Sequence, residues 1–206
     1  MRWPRAPIAS RGFYGTQRRS PQERKLIDTV VTDSAMDTTG TVTLLNGCAT
    51  GTDFTNRIGR KINVKSILVR GLAEPQDGTT VARFLRWMLV LDTQPNGALA
   101  TITDILTTST SLSPLNLNNR DRFKVLVDKQ MLNGGGDTTA TQAFSDRNSS
   151  ITHKYKKCNF DTIYDGTGAT IADIQSGALL LVTIGSAAAG SGSDMTYYAR
   201  VRFVDA

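Results

Sequence analysis

Asn116–Lys129 reads NLNNRDRFKVLVDK, and its interpretation decides the fold. The three asparagines of its lead-in, Asn116, Asn118 and Asn119, have short amide side chains that bond nearby backbone and suit turns. Arg120, Asp121 and Arg122 follow as a mixed-charge boundary. Beyond them Phe123, Val125 and Val127 alternate with Lys124, Leu126 and Asp128, the period of two that marks a strand with one buried face. Nothing here has the makings of a reaction centre. The stretch is a long loop entering a core strand.

Outward from it, the same grammar repeats. Leu26–Thr32 and Thr41–Leu45 read as one first strand interrupted by a bulge or loop. Lys61–Ala73 is a second strand whose alternation slips near Ser66, which predicts a bulge. Ala82–Asp92 (ARFLRWMLVLD) is a third, apolar on both faces except at Arg86. A strand of this kind needs a second cover, and a neighbouring subunit is the expected one. Residues 98–122 are too long for a hairpin and predict a short helical turn at Thr103–Thr107. Phe123–Asn133, Ser149–Asn159, Thr162–Tyr164, Ala178–Ser186 and Tyr197–Asp205 complete eight strands, with Ile171–Ser176 as a connector. Eight antiparallel strands with several long links predict an all-β fold, a single jelly-roll sandwich rather than an up-and-down barrel. An immunoglobulin-type sandwich is the runner-up, without the Cys–Trp–Cys spacing that marks it.

Charge divides the 206 residues in two. Residues 1–25 hold seven cations, Arg2, Arg5, Arg11, Arg18, Arg19, Arg24 and Lys25, against one anion, Glu23. The other 181 residues hold seventeen of each sign, so the net charge of +6 belongs to the N-terminus. We expect a disordered basic arm over 1–25 and a folded domain over 26–206. A domain of that size buries roughly 70% of its unfolded surface. Arginines interleaved with Trp3, Phe13 and Tyr14 suit a nucleic-acid strand, guanidinium on phosphate and ring on base. If all seven cations met phosphates of a single strand, log K would fall against log salt with a slope of roughly −5. Arg18-Arg19 and Arg24-Lys25 also suit a nuclear-import receptor. Prolines at 4, 7 and 21 oppose an amphipathic membrane helix, and no apolar run is long enough for a bilayer. Cys48 and Cys158 are expected as free thiols.

Enzyme signatures are lacking. His153 is the one histidine, no GxSxG elbow occurs, and the only glutamates, Glu23 and Glu74, pair with no second acid. No zinc or EF-hand spacing appears, and the glycine clusters lack a GK[ST] ending. No catalytic residue, metal or cofactor is expected. The remaining signals concern binding. Lys61/Lys65, Arg83/Arg86, Lys154/Lys156 and Arg200/Arg202 each suit a solvated strand face. If the third and last strands are sheet neighbours, Arg86, Arg200 and Arg202 form a shared nucleic-acid-binding patch.

Five stretches in order carry a family resemblance: RIGRKINVKSILVRG (57–71), RWMLVLDTQPNG (86–97), LNLNNRDRFKVLVDK (115–129), GALLLVTIG (177–185) and ARVRFVD (199–205). Together, from about residue 26 onward, they resemble capsid proteins of circular Rep-encoding single-stranded DNA viruses, the geminivirus-like group. The resemblance implies a viral coat protein whose jelly roll assembles with copies of itself into a small icosahedral shell. It also implies a virion location and a nuclear assembly stage, with the basic N-terminus on a single-stranded DNA genome. The arm has neither the cysteines nor the histidines of geminivirus arms, so a plain shell of about sixty copies is expected. A host attachment receptor would meet surface loops such as Gly47–Thr55, Ser109–Asn119, Gly134–Asn148 or Ala187–Ser193. The competing readings are a β-sandwich that binds nucleic acid without forming a shell, and a carbohydrate-binding jelly roll.

Overall fold

The computed structural model describes residues 23–75, 83–134 and 149–206. Among these residues, nine strands form two antiparallel sheets. They are β1 (Lys25–Met36), β2 (Thr41–Leu44), β3 (Lys61–Pro75), β4 (Arg83–Asp92), β5 (Phe123–Asn133), β6 (Ser150–Tyr164), β7 (Ile174–Ser176), β8 (Ala178–Gly185) and β9 (Ser193–Asp205). One sheet runs β1-β9-β3-β6-β7 and the other β2-β8-β4-β5. The chain crosses between the sheets at every link except the β4–β5 and β6–β7 connections, and the first and last strands lie side by side. That is the jelly roll, with the short β7 as an addition.

The strand count of eight came from two errors that offset each other. Leu26–Leu45 is not one broken strand: β1 pairs with β9 and β2 pairs with β8, in different sheets. The chain changes sheets at Asp37–Gly40, where the Asp37 carboxylate accepts from the Thr39 and Gly40 amides and Gly40 takes φ +71°. Conversely, Ser149–Asn159 and Thr162–Tyr164 are one strand, β6, continuous against β3. The connector at 171–176 contributes β7. The predicted bulge is present between Val64 and Ser66. The helical turn is α1 (Ile102–Ile105), starting one residue early because Thr101 and Asp104 form a capping box.

The core lies between the sheets. Trp87, Leu89, Leu179 and Leu181 from one sheet meet Ile62, Val69, Tyr197, Val201 and Phe203 from the other, all within one buried cluster. Trp87 Nε1 donates to Thr152 Oγ1 across the gap, 3.1 Å away, so the indole nitrogen is not stranded. One end is closed by Arg57, fully buried, which donates to the carbonyls of Cys48, Gly59 and Gly166 and lies over the Tyr164 ring at 4.1 Å. Cys48 and Cys158 are free, and burial pushes the Cys48 thiol up to about 11.

The second face of β4 and β8 is also covered, but by this chain. Met88, Val90, Val182 and Ile184 point away from the core-facing set and are still sealed from solvent. Arg86 shares their face and donates to the carbonyls of Ser111 and Ser113, which places the 93–122 connection over it. The neighbouring-subunit cover expected from the sequence is therefore corrected: a roof of 30 residues, with Ile102, Ile105 and Leu106 in the same buried cluster, does this within one chain.

Candidate nucleic-acid interface

Among the described residues, nothing roofs the outer face of the β1-β9-β3-β6 sheet. Strand register lays its side chains out in rows. Leu26, Arg202, Ser66 and Lys157 form one row; Asp28, Arg200, Leu68 and Tyr155 form the next; Val30, Tyr198, Arg70 and His153 form the third. Alternation explains the layout. On β9 the residues Tyr197, Ala199, Val201 and Phe203 go inward, so Tyr198, Arg200 and Arg202 must go outward.

Two adjoining hollows shape this face. One, of about 520 Å³, is lined by Arg24, Lys65, Lys157, Arg202 and Tyr155. Lys65 is the extra residue of the β3 bulge, which aims it into the hollow, where its Nζ reaches Asn159 Oδ1 at 3.5 Å. Among the described residues, no carboxylate lies within salt-bridge distance of these four cations. The other hollow, about 400 Å³, is lined by Asp28, Leu68, Arg70, Tyr198 and Arg200, and shares Arg202 with the first. Here Arg200 is engaged: its Nε and Nη2 donate to the two oxygens of Asp28 at 2.7 and 2.6 Å. Those hydrogen bonds hold the Asp28 carboxyl below the usual carboxylate range against the opposing effect of burial, with the charges of Arg200 and Arg202 helping. Tyr198 is 58% exposed and Tyr155 50% exposed. Rings beside guanidinium and ammonium groups are the pairing that single-stranded nucleic acid uses.

The residues expected at the nucleic acid fall into three groups. Arg2, Arg5, Arg11, Arg18 and Arg19 lie outside the described residues. Arg24, Arg200 and Arg202 lie on the bare face. Lys25 and Arg86 do not, and both are corrected. Lys25 opens β1 in the inward phase, 2% exposed, with its Nζ 3.0 Å from both the Asn56 carbonyl and the Asp205 carboxylate. Arg86 is 5% exposed in the other sheet, its fork on Asp128 at 2.8 and 2.6 Å. A shared patch of Arg86 with Arg200 and Arg202 is thus ruled out, because β3 and not β4 is the neighbour of β9. Five members of the face were missed: Lys65, Arg70, Tyr155, Lys157 and Tyr198. The signal was the period of two through His153, Tyr155 and Lys157. Lys154 and Lys156 share the phase of buried Val69 and Ile67 and leave the face.

No group of acids, histidines and cysteines among the described residues is placed to hold a metal. No described helix is long and apolar enough to cross a membrane.

The geminivirus coat protein/nuclear export factor BR1 family model matches residues 2–206. The chain belongs to that family. The capsid protein of tomato pseudo-curly top virus is 27% identical over 191 residues, covering 84% of this chain and 78% of that protein. The coat protein of maize white line mosaic satellite virus is 31% identical over 111 residues, covering 52% of this chain; the match spans about half (50%) of that relative's length. Among solved structures, desmodium yellow mottle tymovirus aligns at TM-score 0.37 and 9% identity, over 100% of this chain and 94% of that one. Cocksfoot mottle virus aligns at TM-score 0.38 and 12% identity, over 100% and 96%. The strand order of the sandwich itself establishes the jelly roll. The family makes the chain a viral coat protein, a structural component of the virion.

Proposed function

We propose that this coat protein closes into an icosahedral shell of about sixty copies around a single-stranded DNA genome, with its bare sheet facing the cargo. One observation carries the orientation. Arg24, the last residue before β1, lines the same hollow as Lys65, Lys157 and Arg202. The basic segment 1–24 therefore joins the body on its cation-rich face, and arm and sheet act on one polyanion. Residues 25–206 form the shell domain, because Lys25 belongs to the fold. Tyr155 and Tyr198 supply ring faces that only unpaired bases can meet, which favours a single strand. The DNA character of the genome rests on family membership. Assembly in the nucleus follows from the arm's Arg18-Arg19 pair with Arg24, Lys25 being buried and out of an import receptor's reach.

Negative-stain microscopy of the purified full chain, followed by DNase and RNase digestion of its contents, tests this. Closed particles with DNase-sensitive contents are expected. Replacing Arg2, Arg5, Arg11, Arg18 and Arg19 with glutamine should flatten the salt slope for oligo-dT by about 3.5. A chain that binds oligo-dT but never assembles would fit instead the export-factor branch of the family.

A further inference from the structure

The two hollows of the bare face meet at Arg202, which lines both, and they differ in acid content. Four cations meet no carboxylate in the first, whereas Arg200 in the second is held by Asp28, the one acid lining it. We propose that Asp28 is a brake on the bare face, occupying Arg200 until a polyanion already held by the neighbouring cations displaces it. This rests on the bare face being the cargo side.

The geometry supports a brake over a scaffold. Asp28 and Arg200 are directly opposed on β1 and β9, two strands already joined by a ladder of ten residue pairs, so the sheet does not depend on this contact. Both side chains are about 40% exposed, 41% and 43%, and exposed ion pairs contribute little to folding. Asp28 takes the Nε/Nη2 edge of the guanidinium, a fork that phosphate also fits, and sets a negative charge against any phosphate approaching the rest. Arg202, two residues along the same face, is opposed by the aliphatic Leu26 and has no such restraint. A strand that enters at Arg24, Lys65, Lys157 and Arg202 is one row away from Arg200. Exchange of carboxylate for phosphate there makes no covalent change and exposes Asp28 to solvent. The consequence is selectivity by length. A short anion is held by the first hollow alone, while a continuous strand brings enough phosphates to open the pair.

The test uses the full chain with fluorescein-labelled oligo-dT of 20 and of 4 nucleotides, titrated across a salt series. Asp28→Asn keeps the shape and removes the charge. It should tighten binding of the 20-mer on the order of fivefold and steepen the salt slope by about 0.7. The 4-mer should gain proportionally more, so the length preference shrinks. Arg200→Ala in the wild-type background should change 4-mer binding little, and in Asp28→Asn it should abolish the gain. Thermal melting checks that each variant is folded, and Arg200→Lys, which lacks the fork, gives an independent opening of the pair. Unchanged or weaker binding by folded Asp28→Asn overturns the proposal, as does a gain that survives Arg200→Ala. Failure of the underlying face would look different: Arg202→Ala with Lys157→Ala would then leave oligo-dT binding intact.

Discussion

The two sheets of this sandwich each turn one face outward, and the chain treats them oppositely. The β2-β8-β4-β5 face is roofed by 93–122. Its arginine, Arg86, is neutralised by Asp128 and by backbone carbonyls, and the roof is pinned at its other end by Arg122 on the buried Asp92, at 2.9 and 2.8 Å. Among the described residues the β1-β9-β3-β6 face is left bare; Arg24, Lys65, Lys157 and Arg202 have no carboxylate within salt-bridge distance, Arg200 has Asp28, and two tyrosines are half-exposed. In the roofed face a charge is part of the fold, and its loss costs stability. In the bare face charge costs the fold something, through like-charge repulsion, and is offset when a polyanion arrives. The same residue type therefore predicts opposite phenotypes in the two sheets.

The largest expected effect is on the roofed face. Arg86→Ala strands Asp128 and two carbonyls, and should cost about 2–3 kcal/mol, less than a fully buried pair because Asp128 is part-exposed. Urea unfolding measures it, and oligo-dT affinity of the folded fraction should be unchanged. Next, Tyr198→Ala alone should cost about 1–3 kcal/mol in single-strand binding, with duplex binding unaltered. Comparing oligo-dT with a duplex of equal length separates the two. Arg202→Ala with Lys157→Ala should leave the melting temperature unchanged or raised, and flatten the salt slope by about 1.4. The smallest effect concerns pH. Asp28, Asp104 and Asp161 are held below the ordinary carboxylate value by their hydrogen bonds, to Arg200, Thr101 and Lys61 respectively. Their folded values are depressed, so their contribution is present above about pH 4 and is lost only as pH falls through those lower values. Melting curves at pH 5 and pH 8 should therefore differ little on their account, and mild acid should not release Arg200.

Local periodicity made the strands legible. Phe123, Val125 and Val127 marked β5 as a strand but not as one face: the pairing slips at Leu126, so Val125 lies opposite Val90 on the roofed side and Val127 opposite Leu89 on the core side. Tyr197 to Phe203 gave β9 with the correct outward arginines. Partnership was not legible, because it is set across the chain. Arg86 and Arg200 look alike in sequence, yet the groups that neutralise Arg86 are 25 to 42 residues away. The clue was its setting among Leu85, Trp87, Met88 and Leu89: an arginine with apolar neighbours on both faces is an arginine that must be satisfied inside. Lys25 offered a similar clue, being in phase with inward Ile27 and Val31. The roof was legible as a long connection but not as a cover, since a strand apolar on both faces does not say whose atoms seal it.

The sidedness itself is tested most directly by cross-linking. Particles assembled on a bromouracil-substituted single strand would be irradiated and the cross-linked peptides mapped by mass spectrometry. Cross-links at Tyr198 and Tyr155, on β9 and β6, are expected. Cross-links concentrated in the 93–122 roof, with none on β9 or β6, would contradict the assignment of the bare face to the cargo.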